Sequence, residues 1–545
     1  MKQRTTDAAI LDDFFTADRS SVALLILLSL LLFFLNLGGR DLWAPDEGEY
    51  AQISQEMLES GDWTIPRMNA LPWAQKPPLF NWAIATLSLL PGRVTELTAR
   101  LPSALMGMVG VLATYWLGKT LYGGSTGLFS ALILATSPLY IHQARWVQVD
   151  MLMAGLVTLT LSSFYLGYIH PTRRLRYYLL GSLFIGLGTL TKGPLAVVLP
   201  GLTLLTFTVL KGELKEFLTR KLFLCLLLFL AVTCPWYIAV YFKGGPDFAR
   251  ELLLKHNLGM FFDTWSHKQP FYYYLWNLPW TFFPWIVFLP SALAHLFSTG
   301  ERQQRLFLLS WFIGMFCFFS LSQAKQGKYL LPLLPCLALI VGRFWESVLL
   351  EKDVFSYKKG LVIPMAFLAG VLILGGGAGP WFIHKRYPEF LNLSIPLGTF
   401  LALCGGSILL TSLYGRRRTI FVTLIVMLVL VMTYSSTFLQ SELNHYKSAK
   451  PFCQEAVRII KGGELGIYGI YYHKIGPYLF YTKKRVKTFY DQDSVVKFFN
   501  SEDKVFCIMG DISLESLKKS HTVPTYTLLS AAVGHRSVHL VSNRP

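Results

Sequence analysis

The sequence predicts a polytopic α-helical membrane protein followed by a small α/β domain. Three observations carry that prediction. Of 545 residues, 53% are hydrophobic and only 15% are charged, whereas an ordinary soluble domain carries roughly 25% charge. The apolar residues gather into runs near span length, about 20 residues each. After residue 440 these runs stop and charge rises sharply. The same composition excludes other classes. So few charges cannot coat several soluble domains, and 15% aromatic residues is the opposite of a disordered composition. Seven cysteines form no CxxC or Cys/His metal pattern, and an odd number argues against a disulfide framework.

The first apolar run is Val22–Leu37. It follows an N-terminus with both charge signs and has no small-residue cleavage site, so it reads as an uncleaved anchor. Further runs centre near 98–118, 124–140, 151–169, 177–191, 194–210, 221–242, 276–298, 304–322, 328–346, 361–383, 395–413 and 419–439. That makes thirteen expected spans. With the N-terminus in the cytoplasm, the inside segments hold 20 of the 50 Lys and Arg but 10 of the 32 acids. Arg173, Arg174, Arg176 and Arg416 to Arg418 are among them. Short basic inside loops fit the positive-inside rule. The formal charge of +18 therefore signals orientation in the inner membrane, not nucleic acid. An odd number of spans sends the C-terminus to the periplasm.

The chain thus divides into a membrane part, residues 1–439, and a periplasmic part, 440–545. In the latter, β-rich runs at 465–472, 504–509, 523–529 and 537–541 alternate with helical patterns near 476–481, 493–500 and 512–519, which predicts a small α/β fold. Cys453 and Cys507 are a possible pair there.

Polar chemistry gathers on the outer loops. The first, residues 38–98, is long for a connector and holds eight acids, with Asp41, Asp46, Glu47 and Glu49 close together. Pro45-Asp46 reads as a helix start with acids in the first turn. Tyr50, Ile53, Met57 and Leu58 recur at helical spacing until Gly61. This is an amphipathic helix of about fifteen residues lying in the interface plane. Alone, Asp46 reads as a helix cap. Its neighbours add a functional reading. Lys76 precedes two prolines, which force an extended chain, and it reads either as an interface anchor or as a phosphate contact. Asp150 opens the fourth span, where an acid is costly unless paired or exposed to a cavity. Arg145 is its candidate salt-bridge partner. Lys192, in Thr191-Lys192-Gly193-Pro194, marks a tight break at the outer surface. Lys268 and Lys328 lie on two further outer loops. Each lysine alone reads as a snorkelling anchor. Four lysines on the side that positive-inside topology disfavours, together with two acids, form a set.

That set suits a lipid-linked phosphate. Cations would hold a phosphate as it leaves with developing charge, and a carboxylate would position or deprotonate an acceptor. Sugar transfer from a polyprenyl phosphate makes these demands. A transporter or flippase of a lipid-linked anionic sugar is the alternative, but it should show two matching halves or paired broken spans, and the sequence has no such symmetry. No P-loop, GxGxxG after a strand, HExxH or GxSxG occurs.

Asp41-Leu42-Trp43-Ala44-Pro45-Asp46-Glu47, Tyr50-Ala51, Lys76-Pro77-Pro78-Leu79 and Arg100-Leu101-Pro102-Ser103-Ala104 follow one another in the first loop and second span. Asp150-Met151, Thr191-Lys192-Gly193-Pro194, Gln269-Pro270 and Lys328-Tyr329-Leu330-Leu331-Pro332 continue the order. The series resembles the 4-amino-4-deoxy-L-arabinose lipid A transferases, membrane glycosyltransferases of the C-type fold related to the protein O-mannosyltransferases. The resemblance implies inverting transfer of a sugar from undecaprenyl phosphate to lipid A, or to another acceptor at the periplasmic face, with no required cofactor. It implies Asp46 and Asp150 as catalytic residues. Lys76, Lys192, Lys268, Lys328 and Tyr329 would hold the carrier phosphate, supported by Glu47, Tyr50 and Arg145. Two positions depart from the family pattern. Gln75 stands where a Glu, linked to an incidental metal position, usually precedes Lys-Pro-Pro, and Glu49 stands where many relatives have Arg. Both changes bear on the sugar and the acceptor.

Overall fold

The computed structural model describes residues 18–217, 220–253, 267–351, 360–471, 474–520 and 523–545. The N-terminal charges before Asp18, and Lys352, Lys358 and Lys359 of the inside loops, lie outside the described residues. Eight helices are long and apolar enough to cross a membrane, or up to ten if two bent pairs each count as one span. The bends are 68° between Gly124–Ala135 and Pro138–Ala144 and 110° between Tyr273–Thr281 and Trp285–Ser298. Both fall where a proline interrupts the ladder, at Pro138 and Pro284. The expected run Val22–Leu37 is helical but divided. An α-helix, α1 (Asp18–Ser29), gives way to a π-helical turn over Leu30–Phe34, so no single helix reaches span length there. Large apolar side chains such as Phe242, Leu374 and Leu403 remain exposed on the long helices, as expected of surfaces facing lipid.

Five elements position the polar face where the charged loops meet. Helix α2 (Asp46–Ser60) begins after Pro45 and ends at Gly61, whose φ of 67° places it in the left-handed region. Helix α3 (Leu79–Ser88) follows Pro77-Pro78. Helix α4 (Glu96–Tyr122) starts with a capping box between Thr95 and Thr98. Helix α5 (Val149–Ile169) opens at the Asp150 loop. Helix α6 (Arg174–Lys192) stops at Gly193, at φ 68°, immediately before Pro194, which is the tight break expected there. Lys192 thus sits in the last turn of α6, where a cation complements the helix dipole.

The C-terminal region forms one five-stranded mixed sheet. Its strands are β1 (Leu465–Tyr468), β2 (Lys487–Phe489), β3 (Phe506–Gly510), β4 (Tyr526–Val533) and β5 (Arg536–Ser542). The order is β2-β1-β3-β5-β4, with β1 parallel to both β2 and β3. The last hairpin is antiparallel. Helices cover both faces. Strand β2 and the helix Lys450–Ile460 are additions to the sequence expectation. One face of the sheet continues directly into the first loop, because Ile508 and Leu540 share a core with Tyr50, Ile53 and Met57 of α2. The other face packs on its own helices through Cys507, Leu514 and Val541. Cys453 lies in the first of these cores and Cys507 in the second. They are separated by the sheet, and both are free thiols.

Candidate active site

Helix α2 carries three acids in its first turn, Asp46, Glu47 and Glu49, and each has a different environment. Glu47 is fully buried. Arg40 donates to its two oxygens at 2.7 and 2.8 Å, and Arg100 of α4 donates to them at 2.9 and 3.0 Å. The backbone N–H groups of Trp43 and Val147 add 3.1 and 3.3 Å contacts. Burial alone would raise this carboxyl, but the Arg100 and Arg40 charges outweigh it and bring it down to about 2. Arg100 also donates to the carbonyls of Leu37, Arg40 and Asp41. The start of α2 is therefore bolted to α4 and to the loop before it. Glu47 is committed to that lock, and Asp46 beside it is held in a fixed place.

Asp46 and Asp150 share one cation. Lys328 donates to Asp46 Oδ2 at 3.2 Å and lies 3.9 Å from Asp150 Oδ2. Lys192 donates to Asp150 Oδ1 at 2.5 Å, and its ammonium stands 4.6 Å from the centre of the Tyr329 ring. Gln148 donates to Asp46 Oδ2. Lys76 lies within electrostatic reach of the same group. Burial and then the Lys192 charge lower its ammonium to about 8, against the opposing pull of Asp150 and Glu49. Five separate segments therefore converge, and three ammoniums face two carboxylates. A surplus of cations over carboxylates is suited to a phosphate that gains charge as it leaves.

Glu49 is 5% exposed. Its Oε1 accepts a 2.6 Å bond from the indole of Trp73. Burial, then the neighbouring Asp46 charge, pushes this carboxyl up to about 8, which favours its uncharged form beside the charged cluster. Tyr50 is buried edge-on against Trp73 and Phe80, with ring centres 5.9 and 5.3 Å away. Burial first, and then Asp46 and Glu49, raise its phenol well above the usual range.

Two expected residues stand elsewhere. Arg145 does not pair with Asp150. It donates to the carbonyls of Leu32 and Leu35 at 3.0 and 2.8 Å, satisfying the end of the N-terminal helical segment, a standard need of helix termini. Lys268 is exposed, and its backbone bridges to Ala324. Among the described residues, the ion pairs of the cluster do not include it. Gln148, Trp73 and the pairing of Arg40 and Arg100 with Glu47 escaped the sequence reading. Gln148 lies two residues before Asp150, and Arg100 is a charge inside an apolar helix that calls for a partner. Trp73 gave no signal. No group of three or more His, Cys, Asp or Glu side chains among the described residues is arranged to hold a metal ion, and both Asp46 and Asp150 are already engaged by lysines.

The chain as a whole is similar to several known proteins. The profile of the dolichyl-phosphate-mannose-protein mannosyltransferases matches residues 75–238. An undecaprenyl phosphate-alpha-4-amino-4-deoxy-L-arabinose arabinosyl transferase of Pseudomonas savastanoi is 33% identical over 404 residues, covering 73% of this chain and 74% of that one. The chain belongs to this arabinosyl transferase family. Another member, from Edwardsiella ictaluri, is 30% identical over 406 residues and 72% of each chain. In the relative from Pectobacterium atrosepticum the match covers 66% of its length, and in one from Pseudomonas fluorescens 58%. The fold is that of the arabinosyl transferase ArnT from Cupriavidus metallidurans, with a TM-score of 0.80 at 23% identity, over 96% of this chain and 97% of that one. The archaeal oligosaccharyltransferase AglB from Archaeoglobus fulgidus shares it more distantly, with a TM-score of 0.52 at 13% identity, over 92% of this chain and 70% of that one.

Proposed function

We propose that the protein is an inverting glycosyltransferase that moves a sugar, most like 4-amino-4-deoxy-L-arabinose, from undecaprenyl phosphate to lipid A at the periplasmic face of the inner membrane. The observation that carries this reading is the Asp46–Lys328–Asp150–Lys192 chain of charges. In the reaction an acceptor oxygen attacks the anomeric carbon as the bond to the carrier phosphate breaks. Lys76, Lys192 and Lys328 stabilise the departing phosphate, with Tyr329 beside Lys192. Asp46 is engaged by Lys328 and Gln148, which fits a group that holds the amino-sugar rather than one that takes a proton. A phosphate acceptor is already anionic and needs no base. Asp150 fixes two of the lysines. No cofactor enters these steps. Lys268 stands apart from this reading.

The finer arrangement is thirteen crossings, the N-terminus in the cytoplasm and residues 440–545 in the periplasm. A tag placed after residue 440 should react with periplasmic reagents, and cytoplasmic reactivity would reverse the orientation. The function is tested with protein reconstituted with labelled undecaprenyl-phosphate aminoarabinose and lipid A. Mass spectrometry should find lipid A heavier by one sugar residue. Labelled carrier that crosses the bilayer without any glycosylated product would mark a flippase instead.

A further inference from the structure

Helix α2 has a second polar face. Asp46, Glu49, Tyr50, Ile53 and Met57 form one stripe on it. At about 100° per residue, Gln52, Gln55, Glu56 and Glu59 form another, turned by roughly 130° from the first. That second stripe lines a cleft of about 600 Å³, closed by the hairpin at Arg67–Met68 and Leu71–Pro72, by the turn before α4 and by residues 480–485 of the C-terminal region.

The charges in this cleft do not balance. Each of its acids is already used within the protein. Glu56 accepts the backbone N–H groups of Asn69 and Ala70 at 2.7 and 2.9 Å. Glu59 accepts Gln55 at 2.8 Å, and Glu96 pairs with Lys450 at 2.8 Å. The cations outnumber them. Arg93, Lys483 and Arg485 line the cleft from two distant parts of the chain, and among the described residues none of their three side chains makes a hydrogen bond or an ion pair. The walls are also strained. Asn69, Ala70 and Lys483 have φ of 58°, 63° and 54°, and left-handed residues other than glycine cost free energy that persists where the surroundings enforce it. Three residues before Arg93, Leu90 is 97% exposed, and Leu89 and Leu97 are exposed too. An apolar rim beside unpaired cations matches an amphiphile with an anionic head.

We propose that this cleft is a subsite for a phosphorylated saccharide, binding it through Arg93, Lys483 and Arg485 on the side of α2 away from Asp46. The inference rests on the lipid A reading above, because it would hold a remote phosphorylated part of the acceptor while another part reaches the reacting centre. Binding energy gained far from the reacting atoms serves orientation there. It also gives the C-terminal region a part in substrate recognition.

The test uses the full chain in nanodiscs and the double variant R93E/R485E, neither residue of which belongs to the charged cluster. Affinity is measured for intact lipid A, for its deacylated bisphosphorylated disaccharide, for inorganic phosphate and for undecaprenyl phosphate. The double variant should weaken lipid A binding at least tenfold and raise its KM by a similar factor, with kcat and undecaprenyl phosphate affinity unchanged. If the deacylated disaccharide also binds and is weakened, the saccharide head is the ligand. If only the intact lipid behaves so, the Leu89–Leu90 rim supplies the remainder. Unchanged lipid A affinity, or inorganic phosphate binding as tightly as the disaccharide, would overturn the proposal. Binding that persists without any transfer by the wild type would overturn the reaction reading and leave the cleft standing.

Discussion

Replacing Glu47 by Gln keeps the shape of the side chain and removes its charge. The Arg40 and Arg100 guanidiniums would then be buried around a neutral amide. The structure gives the size of the effect in two ways. The Glu47 carboxyl falls from an ordinary 4.5 to about 2, and at 1.36 kcal/mol per unit that is roughly 3 kcal/mol of stability at neutral pH. Breaking a buried ion pair from one side costs about 3–5 kcal/mol. The two routes agree. The sign follows from the lowered value. The contribution is complete above pH 4.5 and disappears as pH falls towards 2. Thermal unfolding in detergent, followed from pH 7 to pH 3, should show E47Q several degrees below the wild type at pH 7. The difference should shrink as the wild type loses its advantage in acid. Because α2 starts at this lock, transfer activity should fall as well. Equal melting temperatures at pH 7 would refute the claim that Glu47 is the bolt.

Two further outcomes follow from the neighbours of Asp46. Burial, with the Asp46 charge, holds Glu49 up to about 8, so its stabilising contribution is lost as pH rises from the ordinary carboxylate range through about 8. E49Q, locked neutral, should lose less melting temperature than the wild type between pH 5 and pH 9, and parallel curves would contradict the assignment. A Cβ added at Gly476 would stand 2.5 Å from the backbone nitrogen of Glu49, with no flexible group to yield. G476A should therefore push the helix Gly476–Thr482 away from α2, costing about 1–3 kcal/mol and reducing transfer several-fold. Unaltered activity and melting temperature would show that this close approach is unimportant.

Much of the fold was legible because membranes impose a simple rule. Apolar runs had to become helices, and the alternating runs after residue 440 had to become the strands and helices of a small sheet. The run Val22–Leu37 is helical as expected, but hydropathy is blind to its change from α to π geometry at Leu30. Strand β2 has three residues, too few to show a period. In the site, Asp46, Asp150, Lys76, Lys192 and Lys328 stood out because charge beside lipid is costly and has to be explained. The same logic misplaced Arg145 and Lys268. Sequence shows that a cation needs a partner, not whether the partner is a carboxylate, a helix end or water. Arg145 found carbonyls more than a hundred positions away in the chain, and Lys268 found solvent. Glu49 was visible as a departure from the family pattern. Its burial against Trp73 depends on a fold-back of the first loop that no local periodicity records.

The central claim is that Asp46, fixed by the Glu47 lock and bridged through Lys328 to Asp150, takes part in sugar transfer. The direct measurement is the initial rate of transfer from radiolabelled undecaprenyl-phosphate sugar to lipid A by purified D46N, alongside its affinity for undecaprenyl phosphate. The account predicts a rate at least about a hundredfold below the wild type, the order expected when a substrate-positioning group is lost, with carrier affinity retained. A D46N enzyme that transfers sugar at the wild-type rate would contradict it.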